Sequence, residues 1–520
     1  MAAVAQEKLV ELRTKITESL RVQRDTASID YINVGNALND AMSKQNHAIF
    51  ARRGCGKTLL LHKSTTDLPD NMAAIYLNCE DFKRHSFPNV LIEILKSLFL
   101  EIDKHLYGWF GRKKRLKVIV KDILSHLETM KGSEDNSSED IKTKAAASAS
   151  DEINLETSLK HGPLSGKVSA KSSSSISEET ERAFKLYHDK LRELDHWLPD
   201  LKRQIREFFE LSKDKKFILI QVDDLYHLRR TDQAFVVDYI HRLCKDVPLF
   251  FKIATLRHAS SLYADRHGQP VGAQERHDYQ SINIDYTFSD FKKTRDQNWA
   301  ILSRFADTAA VTTPELSSLF KGEGFSRLVM AGGGVPRDVL SLFLEILDQT
   351  DVQVGEKIGK DEVRILSRAN FERRIEELKQ DSQDVEQGDL IKGIYIIRTF
   401  CLDRKTNVFM VSERLMQQND GLRALFYRLM DYRIIHSCAS ALTHKSSDGT
   451  FQAFAIDIGC YAHLRKHLNR FVETDVSDPG AKDKMRSAPI LDESQMGRLF
   501  DQAPQNVEQA LLEEDEEEED

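Results

Sequence analysis

Nowhere in its 520 residues does the sequence approach the ~20 consecutive apolar residues that a membrane-spanning helix needs, so no membrane partner is expected. The opening stretch MAAVAQEKLVELRTK lacks the apolar core of a secretory leader. An intracellular address follows as the expectation, cytoplasmic or associated with the nucleoid. Cysteine is sparse: Cys55, Cys79, Cys244, Cys401, Cys438 and Cys460 are scattered and never form C-x-x-C. That argues against structural zinc and against a disulfide framework. A basic excess is missing too. The net charge is −8, but residues 513–520, EEDEEEED, are all acidic, and removing these eight from the 82 acidic residues leaves 74 against 74 basic ones. The body is neutral, and its charge balance neither implies nor excludes nucleic acid. The acidic end reads as a solvated, disordered tail.

What is present is an alternation of apolar strand-like runs and helical patterns, the mark of a mostly parallel sheet covered on both faces. Residues 6–23 carry leucine and isoleucine at helical spacing. HAIFA (47–51), MAAIYLNCEDF (72–82), FILIQVDD (217–224), LFFKIATL (249–256) and SINIDY (281–286) read as strands. TLLLHKSTT, residues 89–110 and residues 181–212 read as helices. Residues 131–180 are serine-rich and charged, an insertion with a hairpin candidate around Gly162-Pro163. The pattern turns helical from 288 to 380. Between 389 and 471, helices precede RIIHSCASALTH and TFQAFAIDIG, which flank KSSDG. The expected organisation is an N-terminal helix (1–24), a parallel-sheet core (25–287), a helical region covering it as a lid (288–380), a winged-helix domain (389–471) and a disordered acidic tail (472–520).

The chemistry concentrates in ARRGCGKT, residues 51–58. Glycines let a backbone curl so that successive N–H groups face a phosphate, and the following helix adds its positive end. Gly54 and Gly56 bracket the tightest part of the turn, and Lys57 is the cation for the outer phosphates. Thr58 supplies the hydroxyl for Mg²⁺. Arg53, Cys55 and Leu59 complete the loop, and Cys55 would block the site if alkylated. Ala51 stands where the first glycine of such a loop is usual, which is tolerable if that position needs no positive φ. ILIQVDD then sets Asp223 and Asp224 at the carboxyl end of a strand, where parallel sheets present their ligands. Asp223 is the candidate to hold Mg²⁺ through water, and Asp224 the candidate to orient or activate an attacking water.

This set, with FFKIATLRH and GGGVPRDVL (332–340), resembles the AAA+ ATPases over residues 25–350. It is most similar to their initiator branch, the origin recognition and replication-licensing ATPases and their prokaryotic relatives. The resemblance implies an α/β parallel-sheet domain with a helical lid, followed by an α+β winged helix, and ATP with Mg²⁺ as cofactors. It implies Thr255 at sensor 1, Arg337 at sensor 2, and an arginine finger acting across a subunit boundary. Arg276 fits the finger best, with Arg266 and Arg257 as rivals. The second acidic residue is Asp224 where many active members have glutamate. One methylene less moves the carboxylate by about 1.5 Å, and a ~1 Å misplacement can cost ~100-fold in rate, so slow hydrolysis is expected.

In the winged-helix candidate, GLRALFYRLMDYR (421–433) places Leu422, Leu425, Phe426 and Leu429 on one face, with Arg423, Arg428 and Arg433 elsewhere. As a recognition helix it would offer those arginines to DNA phosphates, with HLRKHLNR (463–470) as a further basic cluster. Three functions compete: an initiator-like ATPase that binds DNA and assembles with ATP, an ATPase subunit of an antiviral or mobile-element system that licenses a nuclease or recombinase, and an ATP-gated scaffold without DNA.

Overall fold

The computed structural model of the chain describes residues 4–20, 31–85, 87–104, 112–132, 178–212, 214–266, 269–349, 356–381, 384–462, 471–504 and 506–513. The 131–180 insertion lies outside these residues except at its two ends, as do the Gly162-Pro163 hairpin and the 463–470 cluster. No helix among the described residues is long and apolar enough to cross a membrane.

Five strands form one sheet: β1 (His47–Phe50), β2 (Met72–Asn78), β3 (Phe217–Asp223), β4 (Leu249–Thr255) and β7 (Gln280–Asn283). Their spatial order is β2-β3-β4-β1-β7 and every pairing is parallel. The apolar runs explain this, because β3 and β4 are buried on both faces and cannot lie at a solvated surface. Helix α3 (Lys57–Thr66) lies on one face and is fastened by a buried amide. Gln221 Nε2 donates to the Leu61 carbonyl and to Ser64 Oγ, and Thr65 Oγ1 donates to Gln221 Oε1.

Helices α4 (Asn89–Lys104), α5 (Arg112–Gly132) and α6 (Glu178–Leu211) pack together in a core shared with one side of the sheet. Eight apolar side chains of α4 are buried there, each stabilising by about 1.5–3 kcal/mol. Two elements depart from the sequence reading. Residues 79–82 leave β2 as a 3-10 turn, and β7 ends at Asn283, short of the expected 286. A two-stranded hairpin, β5 (Tyr263–Arg266) with β6 (Gln269–Gly272), lies between β4 and β7.

The lid comprises α8 (Phe291–Thr308), α9 (Thr313–Ser318), α10 (Gly324–Ala331), α11 (Pro336–Gln349) and α12 (Lys360–Asp381), α7 being Arg230–Cys244 on the sheet. Thr312 and Glu315 close a reciprocal cap on α9, a signal readable in TTPE. Helix α1 (Gln6–Leu20) packs on the lid through buried Leu12 and Ile16, with Lys8 paired to Glu315 and Arg13 to Asp348.

The C-terminal region has the order of a winged helix: α13 (Asp384–Asp403), β8 (Val408–Ser412), α14 (Glu413–Gln418), α15 (Asp420–Asp431), and the hairpin β9 (Ile435–Thr443) and β10 (Thr450–Ile456). The sheet order is β8-β10-β9, antiparallel, around stacked Phe409 and Phe454. One apolar core runs from the lid into this region. The expectation of a disordered 472–520 tail is corrected for residues 472–513. Helices α16 (Ala481–Met485), α17 (Glu493–Asp501) and α18 (Val507–Glu513) bury Met485, Met496, Leu499 and Leu511 in the same core, and Leu491 joins them from the segment between α16 and α17. The acidic run drew attention away from the apolar spacing that precedes it.

Candidate functional site

The carboxyl ends of β3, β4 and β1 lie side by side, so the loop after β1, the Asp223-Asp224 pair and Thr255 meet at one edge of the sheet. Gly54 (φ 87°) and Gly56 (φ 89°) both take the left-handed conformation that only glycine adopts freely. A Cβ on Gly54 would also stand 2.8 Å from Arg337 Cβ and from Val335 Cγ1, so the lid presses directly on the loop. Ala51 is not among the positive-φ residues. Its N–H donates to the Thr255 carbonyl at 3.4 Å, continuing the β1–β4 ladder, so the missing glycine costs nothing. Gly56 caps α3 without a side chain, and the N–H groups of the helix's first turn, from Lys57 through Leu59, remain for an external acceptor.

Lys57 is buried, and its Nζ donates to the carbonyls of Ala51 (3.0 Å) and Arg52 (3.3 Å), inside the curl of the loop. Thr58 Oγ1 donates to Asp223 Oδ2 at 2.6 Å, and the Tyr76 hydroxyl donates to the same oxygen at 2.7 Å. The Asp224 N–H donates to Asp223 Oδ1 at 2.9 Å. Burial pushes the Asp223 carboxyl up, the neighbouring Asp224 charge adds to this, and the two hydroxyl donors and Lys57 oppose it. Burial also raises Asp224, against Lys57, Arg53 and Arg337. Two cations of the loop and one of the lid thus oppose the rise at Asp224, and Glu80 adds to it. Asp224 itself sits at φ 53°, a conformation that aspartate and asparagine tolerate better than longer side chains. The backbone thus supplies a reason for aspartate rather than glutamate.

A hydroxyl beside a carboxylate oxygen is the hard donor set that Mg²⁺ takes, one or two ligands coming from protein and the rest from phosphate and water. Thr58 and Asp223 fit that ion. Among the described residues no three His, Cys, Asp or Glu gather into a metal site.

Thr255 ends β4 opposite Phe50, fully buried, with its hydroxyl hydrogen-bonded to Ser260 Oγ. Arg337 is exposed in the first turn of α11, its N–H aimed at the Gly54 carbonyl at 3.4 Å. Arg276 is elsewhere. It sits at φ 73° in the turn before β7, and Gln280 of that strand pairs with His47, the first residue of β1. Some three residue steps at about 3.3 Å each separate that level from the loop. Arg257 lies over the Phe50 ring and pairs with Glu275. The Arg266 side chain lies outside the described residues.

Sequence reasoning missed the pair that anchors the loop. Arg52 is buried and grips Asp285 with Nε (2.7 Å) and Nη2 (2.8 Å), while its Nη1 donates to the Gly333 carbonyl at 2.7 Å. The loop is thereby tied to the end of β7 and to the glycine turn of the lid. An aspartate closing the apolar run SINID is the same signal that marked Asp223, and it was there to be read. Cys55 is buried beside this pair, and burial holds its thiol well above the ordinary range.

Of the three arginines expected on a recognition helix, Arg423 keeps part of its side chain exposed, and the expectation is corrected for the other two. Arg428 and Arg433 are buried, not offered to solvent. Arg433 pairs with Asp338 and Glu377, and Arg423 pairs with Asp420. Helix α15 faces the sheet domain: Asp431 Oδ2 accepts the N–H groups of His258 (3.0 Å) and Ala259 (2.8 Å), and the Tyr427 ring lies 4.3 Å from that of His258. The hydrophobic spacing of α15 was legible, but not which other element would cover its second face.

No protein-family model matches the chain, and no curated protein does. Among the solved structures that match are two of weak similarity. The ORC1 protein of Aeropyrum pernix in complex with DNA is 12% identical over 90% of this chain and 94% of that one, with a TM-score of 0.29. Drosophila ORC bound to DNA is 11% identical over the same shares, with a TM-score of 0.33. Both scores are low, and the fold described above stands on its own elements.

Proposed function

We propose that the chain is an ATP- and Mg²⁺-binding switch of the AAA+ type, in its initiator branch, which hydrolyses ATP slowly and couples nucleotide state to DNA association and assembly. One observation carries this reading: a glycine-curled loop, a buried lysine, a hydroxyl–carboxylate pair, a second carboxylate, a buried strand-end threonine and a lid arginine share one edge of the sheet. Lys57 would turn from the two loop carbonyls to phosphate oxygens, and the α3 N-terminus would add its N–H groups. Thr58 and Asp223 would hold Mg²⁺, whose charge would offset that of the outer phosphates. Asp224 would orient the attacking water, with Thr255 and Arg337 beside the terminal phosphate. Arg276 lies at the far edge from its own loop, so as a finger it would serve a second copy or a partner, linking ATP to assembly.

Asp224→Asn should retain Mg-ATP affinity while lowering hydrolysis about 100-fold or more, because asparagine keeps the left-handed backbone but cannot take a proton. Asp223→Asn should lose Mg²⁺ dependence of binding as well. Unchanged turnover in Asp224→Asn would move the water-orienting role to another residue.

With α15 turned inward, DNA contact falls instead to the wing. Lys445 is exposed on the β9–β10 loop and Lys482 on α16, and Arg486 ties the two together through the Thr443 carbonyl and hydroxyl. Lys445→Ala and Lys482→Ala should each lower the slope of log affinity against log salt by about 1, whereas Arg428→Ala should leave that slope alone. The scaffold reading draws its support from the burial of α15. No binding by the full-length protein at low salt, with or without ATP, would favour it.

A further inference from the structure

We infer that Tyr76 is a positioning residue for the metal-binding carboxylate, an assignment that rests on the nucleotide reading above. Tyr76 belongs to β2, the edge strand, and its partner across the ladder is Gln221, two residues before Asp223. Side chains two apart along a strand share a face, so Tyr76 and Asp223 are diagonal neighbours on the α3 side, a span that an aromatic side chain bridges. The phenol reaches Asp223 Oδ2 at 2.7 Å, on the oxygen that Thr58 also addresses at 2.6 Å. Asp223 is completely buried, and a buried carboxylate keeps its charge only while donors surround it.

The two hydroxyl donors differ in what they can do once a cation is bound. Thr58 would give an oxygen lone pair to the metal while its O–H still faces Asp223, so its position is shared between the cation and the carboxylate. Tyr76 approaches from the opposite strand, outside the loop, and keeps donating. Tyr76 therefore fixes the orientation of Asp223 both with and without metal, and the Asp224 N–H fixes the other oxygen. Without the phenol, Oδ2 would depend on Thr58 alone, the donor that the cation also engages.

The test uses the full chain and Tyr76→Phe, which keeps the ring packed against the apolar cluster under α3 and removes only the hydroxyl. Binding of a fluorescent ATP analogue is titrated with Mg²⁺ and compared with binding in excess chelator. The Mg²⁺ concentration at half effect should rise about tenfold, the equivalent of one hydrogen bond to an ionised group, while metal-free affinity stays within about twofold. Tyr239→Phe serves as control, since that phenol donates to the Leu194 carbonyl and should leave Mg²⁺ dependence unchanged. An unchanged Mg²⁺ response in Tyr76→Phe overturns the assignment, as does equal weakening with and without metal, which would make Tyr76 a packing residue. Failure of the unmutated chain to bind the analogue at all is a different result and removes the nucleotide reading itself.

Discussion

Lys57→Ala is expected to weaken ATP binding by at least tenfold, about 1.4 kcal/mol or more, by calorimetry or analogue displacement. The lysine is buried at the first residue of α3 and held by two loop carbonyls. Bonds between an ammonium and phosphate are charge-assisted and about twice as strong as neutral ones. The same substitution removes the cation that does most to hold Asp224 down against burial, and one that opposes the rise in Asp223. Both carboxyls should then stay protonated to higher pH, so Mg²⁺ dependence should weaken first on the acidic side. Equal ATP affinity in variant and parent would remove the phosphate-loop reading.

Asp285→Ala is expected to destabilise the fold by about 3–5 kcal/mol in urea unfolding, because it leaves the Arg52 guanidinium buried without its counter-ion. Both partners are nearly excluded from water, at 7% and 11% side-chain exposure, so solvent cannot screen the loss as it does at a surface. The double variant Arg52→Met with Asp285→Leu should recover most of that stability, since an apolar pair of similar volume is often neutral. It should not recover nucleotide binding, because the loop would have lost its tie to Gly333. The pH dependence has a definite sign. Burial alone would raise the Asp285 carboxyl, but the Arg52 guanidinium overrides it and holds the carboxyl below its ordinary range. A depressed folded-state pKa contributes stability above the unfolded value, about 3.9 for aspartate, and that contribution is lost as pH falls below it. A single Asp285→Ala variant within about 1 kcal/mol of the parent would mean that the pair is not what holds the loop.

Much of this was legible in the chain itself because the signals are local. A short apolar run ending in GCGKT specifies strand, turn and helix within a dozen residues, since glycine conformations and helix N–H groups need no distant partner. ILIQVDD reads as a buried strand with charged residues at its end for the same reason. Parallel strands, the helical lid and the order of the winged helix follow from periodicity, which the chain carries whatever it packs against. The tertiary structure alone decided that Arg52 and Asp285, 233 residues apart, close on each other. It alone brought Tyr76 from an edge strand to Asp223, and buried Arg428 and Arg433 when helical spacing placed them off the apolar stripe. These outcomes depend on strand order and on which helix covers which face. A side chain's periodicity states that one face is apolar, but the free energy of burying the other face is set by groups hundreds of residues away, and their arrangement exists only once the sheet, lid and wing have packed.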